Sequence, residues 1–266
     1  MTNIKIKDAF NHGKAMIAFV TGGDPDLETT EKLLPAMEEA GADLIEIGIP
    51  FSDPIAEGPV IQEANERALA KGCTTDHLFD LVKRVRENGS VTVPIVYLTY
   101  ANPIYTYGKD RFMKKCQECG INGVIVPDIP FEEKGEFLEE ANKYGIDIIS
   151  MIAPTSEDRI LKIAKEATGF LYVVSSLGVT GVRSNINTNI EKMIENVRKA
   201  SDIPAAVGFG ISTPQQAKAM ADVSDGAIVG SAIVKIVAQY GRDCIPYVQQ
   251  YIREINSELK VYKEAI

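Results

Sequence analysis

Residues 43–48, with the sequence D-L-I-E-I-G, form a short apolar run that carries a single carboxylate in its interior. Seven comparable runs, apolar at almost every position, occur along the chain near Ala15–Val20, Pro94–Leu98, Gly123–Val126, Asp147–Met151, Phe170–Val174, Ala205–Val207 and Gly226–Val229. Runs of this kind are typical of strands that are buried on both faces, as in a parallel sheet covered by helices.

Amphipathic segments that predict helices separate these strands, at Leu27–Ala40, Asp76–Glu87, Asp110–Cys119, Phe131–Lys143, Glu157–Glu166, Ile190–Ala200 and Pro214–Asp222. Two more follow the last strand, at Ser231–Gln239 and Asp243–Lys263. Eight strand–helix units without a Pro/Gly/Ser-rich linker predict one α/β domain over residues 1–266, a (β/α)8 TIM barrel with an N-terminal helix and extra helices after strands 2 and 8. An open doubly wound sheet is the alternative, and the evenly spaced units and the lack of a G-x-G-x-x-G fingerprint disfavour it.

The segment between the second and third strands is unusually long. These strands begin about 50 residues apart, whereas a plain strand–helix unit needs about 30. The additional length holds the loop Ser52–Gly58 and a predicted helix, Val60–Lys71. Because loops that follow barrel strands form the catalytic face, we expect this insertion to lie there.

The composition is that of an ordinary globular protein with an acidic balance. Among 266 residues, 28 Lys and Arg stand against 37 Asp and Glu, for a net charge of −9. This balance disfavours sequence-independent binding to nucleic acid or to anionic membranes, which requires clustered positive charge. The chain has no apolar run of the roughly 20 residues that a membrane helix needs, and its first residues lack the apolar core of a signal peptide. We therefore expect a cytoplasmic protein.

Several kinds of chemistry lack their usual residues. The two histidines, His12 and His77, lie before the first strand and at a helix start, and the motifs H-E-x-x-H, G-x-S-x-G and the phosphate-binding P-loop are absent. Cys116 and Cys119 form a C-x-x-C that suits metal or redox chemistry, but they lie in a predicted helix without a second ligand pair, which favours two cysteines of no special role. Hydrolase triads, zinc hydrolysis and nucleoside-triphosphate chemistry are thereby disfavoured.

The carboxylate in the second strand is a candidate catalytic group. Alternation along the strand places Leu44, Glu46 and Gly48 on the barrel side, whereas Ile45 and Ile47 suit the helix layer. A carboxylate inside the barrel is costly unless it is paired or functional. Its position near the C-terminal end of the strand favours catalysis over the alternative, a structural carboxylate that hydrogen-bonds neighbouring hydroxyls such as that of Tyr172.

The loop after this strand, Pro50–Pro59, carries two further acids, Asp53 and Glu57. Either acid alone could cap a turn. With Glu46, however, they offer the pair of carboxylates that general acid–base catalysis uses.

Glycine-rich segments follow the later strands, at Gly178–Gly181, Gly208–Thr213 and Gly230–Lys235. The second and third of these run directly into helices after strands seven and eight. Backbone N–H groups and a helix N-terminus at this corner form the usual phosphate site of such barrels. A single glycine could mark a plain turn, but three such loops at one corner predict a phosphate site.

Five motifs together resemble the tryptophan synthase alpha subunit family: F-V-T-G-G-D-P at 19–25, E-I-G-I-P-F-S-D-P at 46–54, G-V-T-G at 178–181, G-F-G-I-S at 208–212 and G-S-A-I-V-K at 230–235. The resemblance runs in unbroken order from about residue 10 to residue 262. It implies a carbon–carbon lyase of tryptophan biosynthesis that cleaves indole-3-glycerol phosphate to indole and glyceraldehyde 3-phosphate. It also implies a beta-subunit partner in an alpha2-beta2 heterotetramer, with pyridoxal phosphate in the partner and neither cofactor nor metal in this chain.

The same resemblance implies roles for individual residues. Glu46 matches the catalytic glutamate, and Glu57 stands where the family normally has a catalytic Asp in an A-D-G-P context. The matched indole-pocket positions are Phe19, Tyr100, Tyr172 and Phe209, the phosphate contacts are Gly181, Gly210, Gly230 and Ser231, and the partner contacts are Ser52, Asp53 and Pro54.

The residues at the strand ends constrain the mechanism independently. A retro-aldol cleavage needs an electron sink, and the predicted strand ends carry neither the Lys of an imine-forming enzyme nor the His ligands of a zinc enzyme. The indole ring, protonated at C3, is the remaining sink. Glu46 would then transfer protons at C3 and at the glycerol hydroxyl, and Glu57 would stabilise the ring N–H.

Four functions stay open at this point. The first is this lyase working with a beta subunit, and the second is the same lyase acting alone and releasing indole. The third is an inactive barrel that only binds a partner, which the presence of Glu46 and the phosphate loops disfavours. The fourth is a phosphoribosyl-type isomerase, which the P-F-S-D-P loop does not fit.

Overall fold

The structure is a computed structural model that describes residues 4–174, 183–208 and 210–260. Eight parallel strands close into a barrel in sequence order, with β1 paired to both β2 and β8. The strands are β1 Ala15–Thr21, β2 Leu44–Gly48, β3 Ile95–Leu98, β4 Gly123–Ile125, β5 Asp147–Ile152, β6 Leu171–Val174, β7 Ala205–Gly208 and β8 Gly226–Val229. The predicted (β/α)8 fold is confirmed.

The described residues form α-helices at α1 Leu27–Glu39, α2 Pro59–Ala70, α3 Thr75–Glu87, α4 Ala101–Tyr107, α5 Lys109–Cys119, α6 Gly135–Tyr144, α7 Glu157–Glu166, α8 Arg183–Ala200, α9 Pro214–Val223, α10 Ser231–Tyr240 and α11 Ile245–Lys260. The predicted extra helices after strands 2 and 8 correspond to α2 and to the pair α10 and α11. None of the described helices is long and apolar enough to cross a membrane.

The structure corrects four details of the predicted helices. The N-terminal helix is a single 3-10 segment, Ile6–Phe10, and the predicted helix Phe131–Lys143 is a 3-10 turn, Phe131–Glu133, followed by α6. The short helix α4 was not predicted, because its seven residues provide too little amphipathic pattern to detect. Helix α8 begins at Arg183, before the predicted start at Ile190, and the last residues of the predicted helix Asp243–Lys263 lie outside the described residues.

The core has two layers that reflect the alternation along each strand. Inside the barrel, Ile17, Leu44 and Val96 pack together, and Ile6 of the 3-10 segment joins this cluster. Between the strands and the helices, residues such as Ile45 form a larger apolar layer. On β2, Leu44 faces the barrel interior and Ile45 the helix layer, as the sequence predicted. That residues 1–266 form one domain stays a prediction.

The C-x-x-C pair belongs to the outer layer. Cys116 and Cys119 on α5 are both buried and free, and burial raises the pKa of the Cys119 thiol to about 11. Among the residues that the structure describes, no group of three or more His, Cys, Asp or Glu is placed to hold a metal ion. Packing accounts for both cysteines.

Candidate active site

Glu46 projects from β2 into the barrel and is only 1% exposed. In the strand register it lies between Phe19 of β1 and Val96 of β3. Its neighbours in sequence, Ile45 and Ile47, face the opposite way, into the helix layer. The alternation of a parallel strand therefore delivers a carboxyl group to an interior formed mainly by apolar side chains.

The surroundings of Glu46 favour its neutral form. Burial, and secondarily the charge of Glu57, raise the pKa of Glu46 from an ordinary value of 4.5 to about 8. Its Oε2 atom has no hydrogen-bond partner among the described residues, so the hydroxyl of Tyr172 does not hold that oxygen. A protonated carboxyl group with an unpaired oxygen can give a proton to a bound substrate.

Glu57 lies in the loop between β2 and α2, close to Glu46. Its Oε2 accepts a hydrogen bond of 3.0 Å from Nδ2 of Asn65. Burial raises the pKa of Glu57, and hydrogen bonds from Asn65 and the Tyr100 hydroxyl oppose that rise. The two acids therefore differ in environment: Glu46 has an unpaired oxygen, whereas neutral donors support the ionised form of Glu57.

A pair of hydrogen bonds, which the sequence did not reveal, fixes helix α2 to the loop after β1. Nε and Nη2 of Arg67 donate to the two carboxylate oxygens of Asp24, each at 2.8 Å. Asp24 follows β1 and is 3% exposed. Polar residues on an amphipathic helix are usually expected to face solvent. The sequence alone therefore does not distinguish Asn65 and Arg67 from ordinary surface residues.

Phe19 on β1 and Tyr100 just after β3 come from the two strands that flank β2. The Phe19 ring packs against Ile61 and Ala64 of α2 and against Val234 of α10. A Cβ at Gly48 would lie 2.8 Å from Cζ of Phe19, so the glycine leaves room for that ring. The hydroxyl of buried Tyr100 accepts a 3.1 Å hydrogen bond from the backbone N–H of Ala56, which ties the loop to the end of β3.

Tyr172 lines the barrel interior from β6. Burial, and secondarily the charge of Glu46, raise the pKa of its hydroxyl well above the ordinary value, which places the ring near that carboxyl group. Its hydroxyl lies 2.5 Å from the position of a Cβ built on Gly208, so a residue with a side chain there would displace it. Phe209, the fourth predicted pocket residue, lies outside the described residues.

Three of the predicted phosphate contacts, Gly210, Gly230 and Ser231, follow the ends of β7 and β8. Gly230 precedes α10 and Ser231 begins it, and no side chain caps this helix. In contrast, Thr213 and Gln216 form a capping box on α9, where Gln216 Oε1 also accepts the N–H of Ser212 at 2.9 Å. The uncapped N–H groups of α10 are therefore the better anion site.

Of the other two predicted phosphate residues, only Gly210 is among the described residues. Gly210 has a φ of +75°, and a Cβ there would meet no atom within 4 Å, so the backbone conformation explains the glycine. Gly181 lies outside the described residues.

The predicted partner contacts are accessible. Ser52 and Asp53 are exposed, and Pro54 is half-buried. Next to them Ile55, which the sequence reasoning did not single out, is 81% exposed. This exposed aliphatic side chain lies in the same loop as Glu57, next to the predicted partner contacts.

Comparison with known proteins agrees with this architecture. A family model described as tryptophan synthase alpha chain matches residues 6–264. The tryptophan synthase alpha chain of Lacticaseibacillus casei is 44% identical over 98% of this chain and 97% of its own, and that of Thermoanaerobacter pseudethanolicus is 46% identical over 95% and 94%.

Solved structures give the same result. The Campylobacter jejuni tryptophan synthase subunit alpha superposes with a TM-score of 0.85 at 33% identity, covering 95% of this chain and 99% of its own. A chain of the Mycobacterium tuberculosis tryptophan synthase in its open form has a TM-score of 0.85 at 28% identity, covering 97% and 99%. The chain thus belongs to the tryptophan synthase alpha chain family, the lyases that cleave indole-3-glycerol phosphate to indole and glyceraldehyde 3-phosphate.

Proposed function

We propose that Glu46 and Glu57 divide the chemistry of this cleavage, with Glu46 moving protons and Glu57 stabilising charge. The observation that carries the proposal is a buried carboxyl group on β2, with its pKa raised to about 8 and an unpaired oxygen, close to a half-buried one in the following loop. Such a separation of roles by environment is how two like side chains serve one reaction.

The reaction begins with a proton transfer from neutral Glu46 to C3 of the indole ring. The protonated ring is cationic and accepts the electron pair of the bond between C3 and the glycerol chain as that bond breaks. The adjacent glycerol hydroxyl becomes the aldehyde, and its proton passes to the Glu46 carboxylate, which restores the starting state. Indole and glyceraldehyde 3-phosphate leave, so the atoms and charges balance without a cofactor.

Glu57 accepts a hydrogen bond from the indole N–H in this proposal. Its negative charge stabilises the positive charge that develops on the ring. The glutamate side chain is one methylene longer than the aspartate usual at this position of the family, and its contacts with Asn65 and Tyr100 hold it in place.

The substrate is held at both ends. Phe19, Tyr100, Tyr172 and Phe209 contact the indole ring in this proposal. The phosphate binds the N–H groups of Gly230 and Ser231 at the uncapped start of α10, with Gly210 and Gly181 completing the site.

We further propose that the chain works with a pyridoxal-phosphate-containing beta subunit in an alpha2-beta2 assembly. Ser52, Asp53 and Pro54 contact the partner, and exposed Ile55 contributes apolar area. Because this loop leads directly into Glu57, docking on it adjusts the second acid and raises activity.

The test is to mix the purified protein with indole-3-glycerol phosphate, with and without a tryptophan synthase beta subunit, and to measure indole or tryptophan. We expect indole release from the chain alone and faster turnover with the beta subunit. Equal turnover with a beta subunit that demonstrably binds would favour a free-standing lyase. Absence of any cleavage in both conditions would refute the proposed function.

A further inference from the structure

We propose that Asn65 is a positioning residue for the lyase reaction, whose side-chain amide orients the carboxylate of Glu57. The inference rests on the proposed role of Glu57 in charge stabilisation. Asn65 lies on α2 and belongs neither to the proposed proton path nor to the proposed phosphate site.

The placement of Asn65 is unusual for a polar side chain. It is 3% exposed and lies on the buried face of α2, which it shares with Ile61, Ala64 and Ala68. An amide on an apolar helix face costs free energy unless it is hydrogen-bonded. Its Nδ2 atom donates to Oε2 of Glu57 at 3.0 Å, so Glu57 explains why a polar residue occupies this position.

The helix that carries Asn65 is held in place on its other side. Arg67 makes two hydrogen bonds to Asp24 in the loop after β1, where the carboxylate is buried. In addition, Nε2 of Gln62 donates to the backbone oxygen of Glu57 at 2.8 Å. A fixed helix therefore presents one donor to the backbone and one to the side chain of Glu57.

A glutamate needs such support more than an aspartate does, since it has one more rotatable bond to immobilise. The amide is also the right kind of donor. It is neutral, so it orients the carboxylate without cancelling the charge that the cationic ring requires, as a lysine or arginine would.

Few ionisable groups of other described elements face Asn65 and Glu57. Glu46 faces Glu57 from β2, the Tyr100 hydroxyl faces it from the end of β3, and Tyr172 faces Glu46 from β6. Loss of the amide removes a contact that favours the ionised form of Glu57. The pKa of Glu57 then rises, and less of it is ionised at neutral pH.

The first variant is Asn65→Ala, assayed for indole release across pH. We expect kcat to fall by about 10- to 100-fold at pH 7, the range for losing a hydrogen bond to a charged group. The acidic limb of the kcat/KM profile is expected to move to higher pH, because Glu57 must be ionised. Inhibition by inorganic phosphate is expected to stay near that of the wild type.

The matched control is Asn256→Ala. Asn256 is also 3% exposed and helical, but it lies on α11 beside Gly41, away from the candidate site. We expect this variant to lose stability while it keeps the pH profile of the wild type. The control thus measures the cost of deleting a buried asparagine side chain alone.

Two further variants keep the inference falsifiable if Asn65→Ala folds poorly. Asn65→Asp opposes a second negative charge to Glu57 and is expected to lose more activity than Asn65→Ala. The double variant Asn65→Gln/Glu57→Asp lengthens the amide side chain by one methylene and shortens the acid by one, so the hydrogen bond can still form. We expect this swap to be more active than either single variant.

Three results would overturn the inference. The first is wild-type kcat and pH profile in Asn65→Ala, and the second is a uniform loss without movement of the acidic limb, like that of the control. The third is a swap no more active than its single variants. Failure of the wild-type protein to cleave the substrate would instead refute the proposed function.

Discussion

Replacing Glu46 with Gln should stabilise the barrel while abolishing catalysis. Glu46 is 1% exposed, and its pKa rises from 4.5 to about 8 on folding. The folded state therefore binds this proton more tightly than the unfolded chain does. The group costs no stability below the unfolded pKa of 4.5, and its cost grows as the pH rises until it levels off above about 8.

The magnitude follows from that difference. About 2.5 pH units separate the unfolded pKa from pH 7, and each corresponds to about 1.4 kcal/mol, so the cost at pH 7 is about 3 kcal/mol. At pH 5 the same arithmetic gives less than about 1 kcal/mol. Gln has nearly the same shape and does not ionise, so the Glu46→Gln variant escapes this cost.

The assay is urea unfolding of both proteins at pH 5, 6, 7 and 8, followed by far-ultraviolet circular dichroism because the chain has no Trp. The stability advantage of Glu46→Gln is expected to grow over this range, while its lyase activity is absent and its affinity for phosphate is kept. Glu66→Gln, a change at an exposed position of α2, is the control. A difference in stability that does not vary with pH would contradict this prediction, since Glu46 would then be ionised at pH 7 and unable to act as the acid.

Three further predictions concern the rest of the site. Glu57→Gln is expected to lower kcat strongly, because a neutral amide cannot stabilise the cationic ring, whereas Glu57→Asp should keep measurable activity. A wild-type kcat in Glu57→Gln would show that residue 57 is not the second acid and would make Asp53 the candidate. Gly210→Val is expected to raise KM, because valine is strained at the φ of +75° and the altered backbone misplaces the phosphate contact; an unchanged KM would contradict that contact. Ile55→Asp is expected to weaken activation by the beta subunit in a titration of activity against partner concentration, and unaltered activation would place the interface elsewhere.

The order and spacing of the apolar runs were enough to predict the barrel and its eight strands. Strands that are buried on both faces consist of short continuous apolar segments. This pattern is local, so it can be recognised without knowing what the strands pack against. The same alternation oriented Glu46, because the pleat of a strand sends successive side chains to opposite faces whatever the neighbours are. The resemblance of five motifs supplied the family.

Other features depend on contacts between residues that are distant in sequence. The apolar pattern and the glycine spacing sufficed to predict an acid inside the barrel and glycine-rich turns after the last two strands. The raised pKa of Glu46, the hydrogen bond from Asn65 to Glu57 and the contact of Arg67 with Asp24 arise only when the helices pack around the barrel. A pKa is set by the solvent and charge around a group, and a helix face is polar or buried according to what packs on it, so neither property is local to the chain.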